Sequence, residues 1–378
     1  MTNVVIAGYQ RSPFTFAHKG ALAKVRPDEI TAQVVRALVE KTGVETADLE
    51  DLIVGCAFPE GEQGLNVARL IAFLADLPLT IAGTTVNRFC GSSMTSIHMA
   101  AGAISMGAGQ AFICAGIESM SRVPMAGFNP APHPALYQRY PEAYVGMGVT
   151  AENLAKKYDI PRADQEAVAV ESHARAAKAQ AEGKLADEIV AIVDGNIRVE
   201  EDGCIRPGTT AADLSGLKPA FDQNGSVTAG TSSPLTDGAS AVLVCSEEYA
   251  DAHGLEKLAR IRSTAVAGCA PEIMGIGPVP ATEKALARAG ITVADLDIIE
   301  LNEAFAAQAL SVMKETGISF DNTNIDGGAL ALGHPLGATG ARITGKAAAL
   351  LKREGKGLAL ATQCIGGGQG IATVLEAC

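Results

Sequence analysis

Three residues in this sequence combine a reactive side chain with a turn that could expose it, and the first is Cys90. It lies in TTVNRFCGSSMTS, where two serines begin a predicted helix with apolar residues at i, i+3, i+4 and i+7. The positive end of that helix would lower the thiol pKa and favour a thiolate, the nucleophilic form of cysteine. Because unpaired cysteines are often inert core residues, local sequence leaves both interpretations open.

His334 is a candidate base. It stands in GGALALGHPLGATGAR, in a glycine-rich turn between an apolar stretch and a helix predicted over 341–351. Gly333 and Gly337 would let backbone and ligand approach closely, and histidine is the side chain that most often transfers protons near neutral pH. A structural histidine explains the local pattern equally well.

A second cysteine, Cys364, begins CIGGGQG directly after the apolar run GLALATQ. A glycine-rich loop at a strand end can aim backbone N–H groups at an oxyanion or a phosphate. A dinucleotide-binding loop is the competing interpretation. The loop lacks the full GxGxxG spacing and only residues 371–378 follow it, so no βαβ unit remains to hold a dinucleotide.

Two further segments carry polar side chains at predicted element boundaries. Asn302 and Glu303, in IIELNEAFAAQ, lie where a strand gives way to a helix, so helix capping and catalysis are equally consistent with Asn302. The segment TAGTSSPLTDGAS at 228–240 is rich in hydroxyls and small residues, which suits either an ordinary turn or a ligand site.

An internal repeat relates the turns of Cys90 and His334. Residues 41–58 align without gaps to residues 288–305, at an offset of 247, and both copies lead from a helix into a strand. The same offset predicts a counterpart of NRFCGSSMTS near GHPLGATGAR. Two similar halves would therefore place Cys90 and His334 opposite each other, beyond strand ends.

Apolar strand-like runs alternate with alanine-rich helical stretches, which indicates an α/β fold. We predict an N-terminal half formed by 1–119 plus 235–256 and a C-terminal half formed by 257–378. The region 120–234 has more proline and charge and is predicted to be an inserted domain. A helix predicted there over 162–182 would bury four side chains, those of Ala167, Val168, Val170 and Ala174.

Composition argues against several functions. The formal net charge of −12 and the lack of clustered Lys and Arg argue against a nucleic-acid partner. No apolar run reaches membrane-spanning length and the N-terminus lacks a signal-peptide pattern, so we expect no membrane insertion and a cytoplasmic protein. Eight scattered cysteines without a CxxC pair predict neither a disulfide framework nor a zinc site.

Taken together, these segments resemble the thiolase family, and the resemblance extends over essentially the whole chain. The similar motifs occur in the family's order: VNRFCGSSM, TAGTSSPLTDGAS, NEAFAAQ, GGALALGHPLGATGAR and CIGGGQG. The resemblance implies a five-layered α-β-α-β-α fold, built from two βαβαβαββ halves with an inserted loop domain that covers the active site.

The resemblance also implies a role for each motif. Cys90 would be the acylated nucleophile, His334 the base that activates it, and Cys364 the acid or base at the α-carbon of acetyl-CoA. Asn302 would hold a water that forms one oxyanion hole with Nε2 of His334. The backbone N–H groups of Cys90 and Gly366 would form the other.

The implied reaction is thiolytic cleavage of a 3-ketoacyl-CoA, or the reverse Claisen condensation, with ping-pong kinetics through an acyl-Cys90 intermediate. Acyl-CoA and coenzyme A would be substrates, and Ser233 would contact the pantetheine arm. No metal or redox cofactor is expected. Members of the family are dimers or dimers of dimers, so a homodimer or homotetramer is expected.

One position departs from the short-chain acetoacetyl-CoA thiolases. Many of those carry a histidine before Met-Gly and TAEN, whereas this chain has YVGMGVTAEN, with Gly146 in its place. We therefore expect a degradative 3-ketoacyl-CoA thiolase that accepts longer chains, although Met147 and Met274 could restrict the pocket. The alternatives are a short-chain biosynthetic acetyl-CoA acetyltransferase and, from another class, a non-catalytic acyl-CoA-binding protein.

Overall fold

The computed structural model describes residues 2–378. The strands are β1 (Val4–Arg11), β2 (Thr15–Phe16), β3 (Leu49–Cys56), β4 (Ala82–Val86), β5 (Ala111–Ser119), β6 (Ile192–Asp194), β7 (Ile197–Val199), β8 (Thr236–Ser246), β9 (Ala259–Gly268), β10 (Ile298–Leu301), β11 (Leu358–Ile365) and β12 (Gln369–Glu376). The helices are α1 (Pro27–Thr42), α2 (Val67–Leu74), α3 (Ser92–Ser105), α4 (Pro134–Arg139), α5 (Met147–Lys157), α6 (Arg162–Ala181), α7 (Ala211–Ser215), α8 (Glu247–His253), α9 (Pro278–Ala289), α10 (Ala306–Thr316), α11 (Ala329–Leu332) and α12 (Leu336–Glu354).

The first half of the chain builds a mixed sheet in the order β4-β3-β5-β8-β1, with the short β2 beside β8. β3 lies parallel to β4 and β5, whereas β8 runs antiparallel to β5 and β1. β1, β5 and β8 are buried along their whole length, which explains why their sequences are almost continuously apolar or small.

The second half repeats this arrangement. Its strands lie in the order β10-β11-β12-β9, with the same parallel and antiparallel pairs. An isolated parallel bridge between Ile299 and Thr323 takes the place that β4 has in the first half. β1 pairs with β9 and so joins the two halves into one ten-stranded sheet.

Local details confirm the internal repeat. α1 and α9 both end at glycines in the left-handed conformation, Gly43 and Gly290, which suits a residue without a Cβ. Each is followed by a short 3₁₀ turn, at Thr46–Asp48 and Val293–Asp295. Both pairs are separated by the offset of 247 residues that the sequence shows.

Three apolar clusters define the layers. One lies between α1, α2 and the outer face of the first sheet half, and another between α9, α10 and the outer face of the second. The third packs α3 and α12 between the inner faces. A Cβ on Gly340 would lie only 2.3 Å from the backbone nitrogen of Met94, so this glycine permits the close approach of α12 to α3. The predicted five-layered α-β-α-β-α order is confirmed.

The inserted region contains α4 to α7 and the β6-β7 hairpin. One of its links to the core is Arg11 on β1, which is fully buried and donates to Glu188 at 2.8 Å and to Asp202 at 2.7 Å. No helix within residues 2–378 is long and apolar enough to cross a membrane.

α6 is the helix predicted at 162–182, but the prediction of its buried face was partly wrong. Val168 is buried as expected, whereas Ala167 and Ala174 are exposed. Ser172 and His173 are buried in their place. The reason is that both polar side chains find partners inside the fold, Glu303 for the Ser172 hydroxyl and a backbone N–H for the His173 ring.

Candidate active site

Cys90 lies in the turn between β4 and α3, two residues before the helix begins at Ser92. The backbone N–H groups of Gly366 and of Cys90 itself lie near its sulfur, where they favour the charged form of the thiol. The Gln363 side chain donates to the Cys90 carbonyl oxygen and so ties the turn to β11. The predicted position of Cys90 at a helix start is confirmed, and two N–H groups lie near its sulfur.

The surroundings of Cys90 do not favour a thiolate in the free protein. Burial raises the pKa of the Cys90 thiol to about 11; the Gly366 N–H opposes this shift and the buried Glu118 carboxylate adds to it. The sequence-based expectation of a lowered pKa was therefore wrong, because desolvation outweighs the effect of the helix start. At neutral pH Cys90 is a thiol, and its use as a nucleophile requires a base.

His334 lies just before α12, and its ring is held at both nitrogens. Nδ1 lies 2.6 Å from the Thr339 hydroxyl, which itself donates to the Pro335 carbonyl at 3.1 Å. Since that hydroxyl has one hydrogen, it accepts from Nδ1–H, and Nε2 carries the free lone pair. Nε2 lies 3.4 Å from Nδ2 of Asn302, and the His334 backbone N–H donates to Thr236 Oγ1 at 3.0 Å.

His334 is neutral as well. Burial, together with the positive charge of Arg342, lowers the pKa of the imidazole to about 3. A neutral imidazole is the form that can accept a proton. The free site therefore pairs a neutral thiol with a neutral base, and charge separates only when a substrate arrives.

Asn302 directly follows β10, and its backbone N–H donates to Thr362 on β11 at 3.0 Å. The next helix, α10, begins at Ala306 and has Phe305 as its N-cap residue, so helix capping does not explain Asn302. Its Oδ1 is buried and has no hydrogen-bond partner within residues 2–378. Such an atom is normally satisfied by a bound water or ligand.

Cys364 lies at the end of β11 and is 1% exposed. Burial, and after it the neighbouring Cys90, raises the pKa of the Cys364 thiol well above its usual range. The two thiols therefore share one site.

The wall of the site next to Cys364 is apolar. Met274 and Phe305 pack with Cys364 in a buried cluster, and Met147 lies against that cluster. A Cβ on Gly366 would lie 3.5 Å from the sulfur of Met147, which places this methionine directly over the glycine-rich loop. Both methionines suggested by the sequence thus line the space beside Cys364.

The whole chain matches the sequence models of one family. The description "Thiolase, N-terminal domain" matches residues 4–248, and "Thiolase, C-terminal domain" matches residues 255–377. This chain belongs to the thiolase family. As a member, it is an acyltransferase.

Similar proteins and structures extend over the full length of this thiolase. It is 48% identical to the 3-ketoacyl-CoA thiolase of Bacillus subtilis and 50% identical to that of Shewanella frigidimarina, with 100% of both chains covered in each case. Its fold matches the Bacillus anthracis acetyl-CoA acetyltransferase, with a TM-score of 0.92, 39% identity and coverage of 100% and 99%. The human mitochondrial 3-ketoacyl-CoA thiolase in complex with CoA matches with a TM-score of 0.92, 34% identity and coverage of 100% and 98%.

Ser233 of this thiolase is partly exposed, next to the segment that carries Asn302. Its backbone N–H donates to the Ala304 carbonyl at 3.0 Å, and its neighbour Ser232 forms a bridge with Phe305. The hydroxyl-rich segment is therefore hydrogen-bonded to the segment that follows Asn302 and is not an isolated surface turn.

Two residues of the thiolase site were missed in the sequence. Thr339, which orients His334, could have been found from its place in the first turn after the histidine. Glu118 is the penultimate residue of β5 and follows seven apolar or glycine residues. The structure buries its carboxylate against the Gly337 N–H at 2.9 Å and Gln63 Nε2 at 2.9 Å. Burial raises the pKa of Glu118 to about 7.

Proposed function

We propose that this thiolase cleaves 3-ketoacyl-CoA with coenzyme A, giving acetyl-CoA and an acyl-CoA two carbons shorter, or catalyses the reverse condensation. The observation that carries the proposal is the pairing of two buried thiols: the Gln363 side chain holds the Cys90 turn against the end of β11, where Cys364 is the next residue. The N–H groups of Gly366 and Cys90 lie near the Cys90 sulfur. Carbon–carbon chemistry needs both thiols, because one group must form the thioester while another moves a proton at carbon.

In the first step, Nε2 of His334 takes the Cys90 proton as the sulfur adds to the 3-keto carbon. The developing oxyanion accepts from the N–H groups of Cys90 and Gly366. Preorganised donors of this kind stabilise a transition state by about 3 kcal/mol each. The high pKa of the free thiol makes this coupled proton transfer necessary.

In the second step, the bond between the 3-keto carbon and the α-carbon breaks, and its electron pair passes to acetyl-CoA as an enolate. The enolate oxygen is held by His334 and by a water on Asn302, and Cys364 donates its proton to carbon. Acetyl-CoA then leaves. A new CoA thiol gives its proton to Cys364 and attacks the acyl group, and Cys90 leaves as a thiol after recovering its proton from His334.

The proposed substrate range includes medium and long acyl chains. Gly146 precedes α5 and is exposed, and a Cβ built on it would have no heavy atom within 4 Å, so no side chain at this position would obstruct a longer acyl chain. Met147 follows it and is flexible enough to move. The names of the curated relatives cited above agree with a degradative 3-ketoacyl-CoA thiolase.

The test uses the magnesium-enolate absorbance of 3-ketoacyl-CoA substrates from C4 to C16. The wild-type protein is expected to remove the absorbance only when CoA is present, and to cleave a C8 substrate at least as efficiently as the C4 substrate. Cys90→Ala is expected to be folded and inactive. Undiminished cleavage by that variant would remove Cys90 from the mechanism.

A biosynthetic acetyl-CoA acetyltransferase is the second candidate. It is favoured by the match to the Bacillus anthracis acetyltransferase structure and by the two methionines at the pocket. A steep preference for the C4 substrate would favour it over the degradative enzyme.

We also propose that the protein is a homodimer that pairs through β4. This strand is the free edge of the first sheet half, and an unprotected edge offers unpaired backbone groups to a second chain. Exposed apolar side chains surround it, namely Leu65, Leu70, Phe73, Leu74 and Leu79. An isologous contact between two copies would cover this surface; a tetramer would need a second interface.

We propose a cytoplasmic location because all eight cysteines have free thiols, as is usual in a reducing compartment.

We propose that the chain folds into three domains: an N-terminal half formed by 1–119 with 235–256, an inserted domain formed by 120–234, and a C-terminal half formed by 257–378. Limited proteolysis that first cuts near 120 and 235 would support these boundaries, and first cuts within the halves would contradict them.

A further inference from the structure

A buried ion pair joins β10, which Asn302 directly follows, to the helix that follows His334. Nη1 of Arg342, on α12, donates to Oε2 of Glu300, on β10, at 2.8 Å. The side chains are 2% and 1% exposed. Burial raises the pKa of the Glu300 carboxyl to about 7, and Arg342 opposes this shift. The reaction steps proposed above use neither of these residues.

On the strand side, Glu300 contacts Arg342 on α12, and Asn302, one residue beyond the strand end, contacts His334 just before α12. Residues two apart on a strand point the same way. Ile298, two residues before Glu300, packs in the central cluster with α12, whereas Ile299 and Leu301 pack on the opposite side against α9 and α10. Ile298 and Glu300 therefore both face α12.

On the helix side, Thr339 and Arg342 share a face because they lie three residues apart. Thr339 holds Nδ1 of His334, and Arg342 holds Glu300. The contact of 3.4 Å between His334 and Asn302 thus lies beside a second, stronger contact between the two elements that adjoin these residues.

The ion pair has few other partners. Oε1 of Glu300 and both Nε and Nη2 of Arg342 are buried without a hydrogen-bond partner within residues 2–378. Lys346, one turn further along α12, pairs with Glu188 and Asp326 instead. The single direct bond of the pair therefore acts mainly between β10 and α12.

We propose that Glu300 and Arg342 are positioning residues, whose ion pair sets the separation of Asn302 and His334 and so shapes the oxyanion site for the acetyl-CoA thioester. The inference rests on the proposed thiolase function. Neither side chain touches substrate; Glu300 acts through Asn302, and Arg342 acts through His334. Misplacement of such groups by about 1 Å can cost roughly a hundredfold in rate.

The test is a double-mutant cycle in the cleavage assay. Glu300→Gln and Arg342→Lys are each expected to lower kcat by about tenfold or more while KM for both substrates stays within about twofold. In a protein that already carries Asn302→Ala, adding Glu300→Gln is expected to lower kcat by less than about threefold, because the side chain through which Glu300 acts has been removed.

The control is Asp202→Asn, which removes an equally buried partner of Arg11 on β1. It is expected to lower the melting temperature and leave kcat within about twofold. The inference would be overturned if the fold-decreases in kcat caused by Glu300→Gln and Asn302→Ala multiplied fully in the double variant. Unchanged kcat in both Glu300→Gln and Arg342→Lys would overturn it as well.

A crystal structure of Glu300→Gln separates this inference from the proposed function. The distance between Nδ2 of Asn302 and Nε2 of His334 is expected to change by about 0.5 Å or more, the tolerance of a preorganised site. An unchanged distance would overturn the positioning role even if the wild-type protein did not cleave 3-ketoacyl-CoA. Wild-type inactivity with a changed distance would refute only the proposed function.

Discussion

Nδ1 of His334 lies 2.6 Å from the Thr339 hydroxyl, and this contact selects one tautomer of the ring. With the hydroxyl donating to the Pro335 carbonyl at 3.1 Å, its oxygen is the acceptor for Nδ1–H, which leaves Nε2 to accept. A residue that touches no substrate atom thereby decides which nitrogen can act as the base.

Thr339→Val is expected to lower kcat by about tenfold or more, because both ring orientation and tautomer lose their support. Thr339→Ser keeps the hydroxyl and should restore most of the activity. The measurement is steady-state cleavage of a 3-ketoacyl-CoA. Equal activity of the valine and serine variants would show that the hydroxyl does not orient the base.

Alkylation of Cys90 in the free protein is expected to accelerate continuously with pH. Burial raises the pKa of this thiol to about 11, so the reactive thiolate fraction still grows tenfold per pH unit between pH 7 and 10. Iodoacetamide labelling followed by peptide mass spectrometry measures the rate at Cys90 alone. A plateau below pH 9 would mean that the free site already holds a thiolate.

Gly146→His is expected to narrow the substrate range. The glycine has open space beside it and a φ of −67° that any residue can adopt, so the ring should fit without strain and fill the pocket wall. We expect kcat/KM for a C8 substrate to fall about tenfold relative to the C4 substrate, about the discrimination that a pocket contact provides. Gly146→Ala is the matched control and should change this ratio little.

Glu118→Gln is expected to change how stability depends on pH. Burial raises the pKa of this carboxyl from 4.5 to about 7 in the folded protein, so its protonated form is favoured there. The stability that this provides is present below pH 4.5 and is lost as pH rises through about 7. From pH 4.5 to above pH 7, the free energy of unfolding of the variant should therefore rise by roughly 3 kcal/mol relative to that of the wild type. Denaturant unfolding at pH 4.5 and 7.5 measures the gain; an equal difference at both pH values would contradict it.

Disrupting the proposed interface at β4 is expected to lower the mass of the particle in solution. Introducing aspartate at both Phe73 and Leu79 should convert a dimer into a monomer, because charges would replace the exposed apolar side chains beside the free strand edge. Light scattering at fixed protein concentration measures this. Val193→Asp alters an equally exposed side chain on β6 and should leave the mass unchanged. A dimer that survives the double substitution would place the interface elsewhere.

The internal repeat is a feature that the sequence predicted correctly. The offset of 247 residues predicted paired turns, and the structure repeats both the strand order and the glycine caps at that spacing. Local patterns succeed here because element type and spacing depend on neighbours along the chain. The buried face of α6 was predicted in part incorrectly, because its polar residues find partners outside the helix, Glu303 for Ser172 and the Arg206 backbone N–H for His173.

The sequence by itself determined the α/β fold, the two halves and the residue types that can carry acyl transfer, since these follow from periodicity and motif chemistry. Only the tertiary structure decided the protonation states. A helix start at Cys90 suggested a thiolate, but burial within the layered fold removes water, and desolvation favours the neutral thiol and the neutral imidazole of His334. Desolvation depends on every layer that packs around a group, and no local stretch of sequence encodes it.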